Sequence, residues 1–395
     1  MEMISVKKAV NAVTDLKSRY YYYREHEPVT LNEALGRELA ESVVATRISP
    51  EYDIATMDGY AVHTDHGYPL QVNERVYAGD EKGVHIGPGM AAAVATGAFL
   101  PDGANAVVKF EDTQVSGDIL TGPVVPPWTH VLRAGTDYRE GDVILDKYQR
   151  ISPQSMALLY GLDVDEVAVL KKMNVGIIST GTEIFNGMIK NTNALMVAGF
   201  MQEWGCDAEL VGTVPDDYDM TLDMIEAATG DYDVVLTTGG VSVGERDHVH
   251  TAIKELGEMV FHKVRIRPGK PLAVGVVNDT PVFGLPGKPT GAFAALELVV
   301  RHYFTNIPRP STSVIMNSNI SLPQDGNSYI LFVKQGSSGL ETMKYDGSDL
   351  SLFSAGDPYG VSLISASPRS SVVDGYVITD KDITKGETVT VHLFN

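Results

Sequence analysis

Apolar positions fall into three textures along the chain. Over residues 5–23, Val6, Val10, Val13, Leu16 and Tyr20 recur at three- and four-residue spacing, the signature of one apolar helix face. The aromatic run Tyr20 to Tyr23 that follows is expected to serve packing or oligomer contact. From about Ser42 to Gly141 the runs shorten (VVATRI, YAVHTD, AAVATG, AVVKFED) and are cut by Gly, Pro and Asp, which predicts a small all-β module with frequent turns. Residues 151–162 read as helix again, so the module is expected to interrupt one helical element. Beyond residue 171, buried-type strands alternate with amphipathic helices: VGIIST, the helix LMVAGFMQEWG, ELVGTV, the helix YDMTLDMIEAATG, DVVLTT, a helix around Val249 to Leu256, PLAVGVV, PVFGLPG and a helix from Thr290 to Phe304. Alternation of this kind predicts a parallel, doubly wound sheet. From Arg309 onward, short alternating segments such as YILFV, YVITD and VTVHLF predict a terminal β-barrel or sandwich.

Length adds the expectation of several domains, since 395 residues exceed one ordinary core. The longest apolar runs fall far short of the roughly 20 residues that a membrane-spanning helix needs, and MEMISVKKAV lacks the apolar region of a secretory signal. No membrane partner is expected, and a cytoplasmic location is. The single cysteine, Cys206, leaves no intramolecular disulfide and no thiolate-rich metal site, in keeping with a reducing compartment. A formal charge of −20 argues against coating nucleic acid, because that affinity comes from neutralising phosphates with Lys and Arg. Any bound anion must therefore be captured by a local group of donors.

Such donors sit after the predicted strands, where doubly wound sheets bind ligands. Glu183 follows the first strand of the α/β region in STGTE. Asp216 and Asp217 follow ELVGTV, either as site carboxylates or as the N-cap of the next helix. Gly239, Gly240, Ser242 and Asp247 follow DVVLTT and resemble a phosphate cradle closed by acids. Lys270 in PGKP and Lys288 in LPGKP each ride a Pro-Gly turn. Lys263, Arg265 and Arg267 alternate with Val264 and Ile266, so the cations share one side of an extended segment. Carboxylates beside phosphate donors suit Mg²⁺, which takes one or two carboxylates together with substrate phosphates.

Together, TMDGYAV (56–62), PGMAAAVATGAFLPDGANAVV (88–108), STGTE, VPDD, TTGGVSVGERD, RPGKPLAVG and FGLPGKPTGAF (283–293) resemble the molybdopterin molybdenumtransferases, to which the C-terminal part of gephyrin is related. The resemblance spans nearly the whole chain. It implies a discontinuous helical first domain (1–41 and 142–170), an inserted β domain (42–141), a three-layer α/β molybdopterin-binding domain (171–308) and a C-terminal β-barrel (309–395). It implies an elongated homodimer that inserts molybdate into adenylylated molybdopterin, with Mg²⁺, and releases AMP. Carried over position by position, Asp58 and Thr96 are the insertion residues that reach a site formed with the other subunit. Glu183, Asp216 and Asp247 are the acids of the site, with Asp216 and Asp247 holding Mg²⁺, and Lys263 and Arg267 are its basic pair. Arg369 and Ser370, in SASPRSS, are candidates for the oxyanion.

The chain departs from the family's pattern at several places. Thr182 stands for an aspartate and removes one possible metal ligand; KNTN at 190–193 stands for Asp-Ser-Asn, Arg267 for lysine, Lys288 for asparagine and Asn105 for aspartate. Tungstate, of the same charge and shape as molybdate, is an alternative substrate. A molybdopterin adenylyltransferase and a non-catalytic pterin-binding scaffold are the rival readings, and transient contact with the adenylyltransferase is a further expectation.

Overall fold

The computed structural model describes residues 2–80, 83–242, 247–316, 319–336, 339–342 and 374–394. It divides into two units, one made of residues 1–25 and 171–395 and the other of residues 26–170. No helix among the described residues is long and apolar enough to cross a membrane.

The first unit is built on a six-stranded sheet: β1 (Asn174–Thr180), β2 (Asp207–Val214), β3 (Val234–Thr238), β4 (Gly257–His262), β5 (Ala273–Val277) and β6 (Thr280–Leu285), in the order β2-β1-β3-β6-β5-β4. The middle strands are buried along nearly their whole length because helices cover both faces; Ile178, Val235, Val282, Ile225 and Ile253 meet in one core. The strands β2, β1, β3 and β6 are parallel, and their pairing sets Thr180 beside Val214, Ser179 beside Thr238, and Thr238 beside Leu285. Four loops therefore leave the sheet at one level.

The expected parallel sheet is antiparallel at one edge. Strands β5 and β6 form an antiparallel hairpin, and β4 joins it antiparallel. The cause is Asn278-Asp279, both at positive φ (50° and 60°), which turn the chain back within two residues and leave no room for a crossover helix. The predicted helix from Thr290 is observed as Pro289–Ala295, a π-helical turn at Leu296–Val300, and Arg301–Phe304.

The opening helix, Val6–Tyr20, belongs to this same unit. Its Lys17 ammonium donates to Asn306 Oδ1 at 3.0 Å, and the Tyr21 hydroxyl donates to the Phe304 carbonyl at 3.0 Å. The C-terminal segments form a further sheet in the order Ile266–Arg267, Ser328–Gly336, Gly375–Thr379, Thr388–Leu393, Ser311–Ile315, around Met316, Leu331, Val377 and Val391. The Lys263–Arg267 segment runs from one sheet to the other. Val264 and Ile266 are buried, whereas Lys263, Arg265 and Arg267 are not, as alternation requires.

In the second unit, Ala106–Lys109, Gly59–Val62, Met90–Val94, Leu70–Val76, Ile119–Thr121 and Gln114–Ser116 make a mixed sheet. The helices Leu31–Ala34 and Pro153–Gly161 lie beside the strand pair His26–Thr30 and Glu166–Leu170.

Candidate functional site

The four level loops of the first unit enclose a cavity of about 630 Å³. Its lining brings together the carboxylates Glu183, Asp216 and Asp247, the glycine loop Gly239, Gly240 and Ser242, and the cations Lys190 and Lys288. The opening lies where the chain proceeds from β1 outward to β2 and from β3 outward to β6, the switch point at which such sheets bind ligands.

Each loop is shaped by its sequence. Gly181, at φ 138°, turns the chain out of β1 so sharply that the Glu183 carboxylate folds back over it; a Cβ there would lie 3.1 Å from Oε1. Thr182 and Asp216 then join the first two loops. The Asp216 Oδ2 accepts from Thr182 Oγ1 at 3.0 Å and from Thr182 N at 3.3 Å, and Asp216 N donates to Thr182 Oγ1 at 3.1 Å. The adjacent aspartate does something else. Asp217 Oδ1 accepts from Met220 N at 2.9 Å and caps the helix Tyr218–Asp231. The two readings of the Asp216-Asp217 pair are thus divided between its members.

Gly239 and Gly240 (φ 95° and 64°) pass so close to Thr180 that a Cβ on either would sit within 2.8 Å of Thr180 Oγ1. Only glycine lets the third loop lie against the first. Behind it, the buried His262 donates from Nε2 to the Val241 carbonyl at 2.8 Å and stacks on His250, rings 4.5 Å apart. A carbonyl only accepts, so the proton is on Nε2. Burial pushes both imidazoles below the ordinary histidine range; the neighbouring Asp247 pulls His250 the other way, less strongly. Neutral rings therefore back the glycine loop.

Lys190 and Asn193, which the sequence marks only as part of the departure KNTN, also line the cavity. The available signal is the polar run KNTN directly ahead of an apolar helix: Asn191 caps Thr192–Glu203 by accepting from Ala194 N, and its Nδ2 donates to Ser179 Oγ at 2.7 Å. Asn193 Nδ2 donates to the Gly287 carbonyl at 2.7 Å, joining this helix to the turn that carries Lys288.

The predicted cations are placed differently from the acids. Pro268, Gly269 and Pro271 line the cavity, while Lys263, Arg267 and Lys270 are outside its lining. Arg267 pairs with Asp325, Nη2 to Oδ2 at 3.3 Å. Arg265 uses its backbone: its N–H donates to the Ile4 carbonyl at 2.8 Å and its carbonyl accepts from Ser328 N at 2.9 Å. Asp58 and Thr96 lie in the second unit, at facing ends of two paired strands. Thr96 donates to Asp58 Oδ1 from N at 2.7 Å and from Oγ1 at 3.0 Å, and these bonds hold the carboxyl below the usual carboxylate range. Arg369 and Ser370 lie outside the described residues.

Among the described residues no three His, Cys, Asp or Glu side chains cluster as a ready-made metal cage. Two carboxylates opening on one cavity, Asp216 and Asp247, suit instead a hard cation that takes its remaining ligands from a phosphorylated substrate and water.

Residues 4–162 match the MoeA N-terminal region (domain I and II), and residues 176–306 match a probable molybdopterin binding domain. A molybdopterin molybdenumtransferase of Haemophilus influenzae is 29% identical over 394 residues, covering 93% of this chain and 94% of its own. One from Staphylococcus aureus is 32% identical over 319 residues, covering 75% and 74%. The crystal structure of a molybdopterin biosynthesis moeA protein from Pyrococcus horikoshii OT3 superposes with a TM-score of 0.80 at 26% identity, over 100% of both chains.

Proposed function

The chain belongs to the MoeA family of molybdopterin molybdenumtransferases, and from that premise we propose that it inserts molybdate into adenylylated molybdopterin and releases AMP. The observation that carries this reading is the composition of the cavity. A glycine cradle, three carboxylates and two lysines open on one space at the ends of parallel strands, which is the equipment for holding a phosphorylated ligand and a cation against it.

In this reading the glycine loop Gly239–Ser242 and Lys288 receive the phosphates, and Lys190 adds a second cation to the same cavity. Asp216 and Asp247 would hold Mg²⁺, which would supply positive charge to the phosphate oxygens. Glu183 stays beside them to orient the substrate. Lys263, Arg267 and Lys270, just outside the cavity, provide a positive approach for molybdate or tungstate, and Arg369 and Ser370 complete the oxyanion's donors. Asp58 and Thr96 act at the site of a partner copy, so the working form is a homodimer. The chain takes its substrate from a molybdopterin adenylyltransferase by transient contact, and residues 309–395 act as a barrel domain.

Purified protein given adenylyl-molybdopterin, Mg²⁺ and molybdate is expected to release AMP, with Asp216→Ala and Asp247→Ala lowering the rate by about a hundredfold or more, the scale on which one electrostatic group at a reacting centre acts. Formation of adenylyl-molybdopterin from a nucleoside triphosphate would favour the adenylyltransferase. Ligand binding with no AMP formed would favour the scaffold.

A further inference from the structure

We infer that Thr182 is a positioning residue for Asp216: it ties down Oδ2 and leaves Oδ1 as the oxygen offered to a divalent cation. The inference rests on the site reading above and assigns a task to a residue that sequence comparison marks only as a missing acid.

Thr182 opens the turn after β1 and Asp216 lies in the loop after β2, and the pairing of Thr180 with Val214 brings the two loops alongside. Three hydrogen bonds connect the two residues. The Thr182 hydroxyl donates to Oδ2 and at the same time accepts from the Asp216 N–H, while the Thr182 N–H gives Oδ2 a second bond. The hydroxyl is thus used in both directions, which no apolar side chain and no ionised carboxylate can reproduce. Among the described residues nothing bonds to Oδ1, and Asp216 lines the cavity. A loop aspartate without such ties would sample several rotamers, and fixing one costs entropy at the moment of binding. Here the rotamer is set beforehand. Ligating carboxylates elsewhere are held in the same way by partners behind them.

The choice of a hydroxyl also matters for charge. Three carboxylates already open on the cavity. A neutral tie orients Asp216 without adding a fourth negative group that would repel a phosphorylated substrate. Serine keeps the hydroxyl and both directions of bonding. Valine keeps the shape and the backbone N–H but loses both hydroxyl bonds, and alanine does so without filling the space.

The test is Mn²⁺ binding to the full-length protein, read by electron paramagnetic resonance with no substrate present, alongside melting temperature. Thr182→Val is expected to weaken Mn²⁺ binding by about tenfold or more, the range found when a residue supporting a metal ligand is removed, with Thr182→Ser close to the unaltered protein. Thr182→Ala serves the same purpose if the valine variant does not fold. Binding that is lost in Asp216→Asn but unchanged in Thr182→Val and Thr182→Ala overturns this inference and leaves the site assignment standing. Binding unchanged in Asp216→Asn overturns the metal assignment and this inference with it.

Discussion

Neighbouring residues of one type do different work here, and Asp216 and Asp217 show how to separate them. Asp217→Ala removes a helix cap and is expected to cost about 1 kcal/mol of stability while AMP release persists; Asp216→Ala is expected to spare stability and stop release. Denaturant unfolding beside a turnover assay distinguishes them, and equal effects of both variants on both readouts would contradict the division. Asp58 gives a second test. Because its carboxyl is held low by the Thr96 N–H and hydroxyl, the folded form favours the charged state. Its contribution is therefore present above the unfolded carboxyl's range and is lost as pH falls through the lowered folded value. Thr96→Val should raise the Asp58 value in a carboxyl NMR titration, and no change would refute the hydroxyl's part. At this scale the acids of the site were legible, since glycine and acid together at a strand end imply a ligand loop. The cations were less so. Alternation says which side Arg267 takes, but not that Asp325, 58 positions further on, waits there.

Two helices start at the cavity, Thr192–Glu203 and the one beginning at Pro289, and an ion network around the buried Glu297 ties them together away from it, through the half-exposed Glu203. Arg309 donates to Glu297 Oε1 from Nη2 at 2.5 Å and to Oε2 from Nε at 3.1 Å, and pairs with Glu203 from Nη1 at 2.6 Å; the Tyr376 hydroxyl adds a bond to Glu297 Oε2 at 3.0 Å. The Glu297 side chain is 0% exposed, and it sits on the π-helical turn. Arg309→Met should cost about 2–3 kcal/mol, because it removes the forked partner of a buried carboxylate that keeps, among the described residues, only the Tyr376 hydroxyl and Arg301, Nε to Oε2 at 4.0 Å. A loss under 1 kcal/mol in denaturant unfolding would show that the network is not needed. Sequence gave no sign of this network, whose members are 12 to 173 positions apart and unremarkable singly. The hairpin β5–β6 was in principle legible: Asn278-Asp279 between two apolar runs is a two-residue turn signal. It was outweighed by the alternation of strands and helices before it.

An acidic chain of net charge −20 can serve an anionic substrate only if the field is reversed locally, and the whole molecule does this by levelling four strand ends. The shared level supplies backbone N–H groups at glycine turns, and Lys190 and Lys288 add positive charge to the same cavity. Order along the chain made much of this legible, since four loops of the cavity follow strands that periodicity identifies. The role proposed for Asp58 and Thr96 was not, because they belong to a different sheet and periodicity carries no information on which surface they serve. The central claim is that AMP release is coupled to capture of the metal oxyanion. Single-turnover release of AMP from adenylyl-molybdopterin, followed with Mg²⁺ present and molybdate either supplied or withheld, tests it most directly. The account predicts a burst of AMP approaching one per site only when molybdate is supplied; the same burst without molybdate, or none with it, would contradict the account.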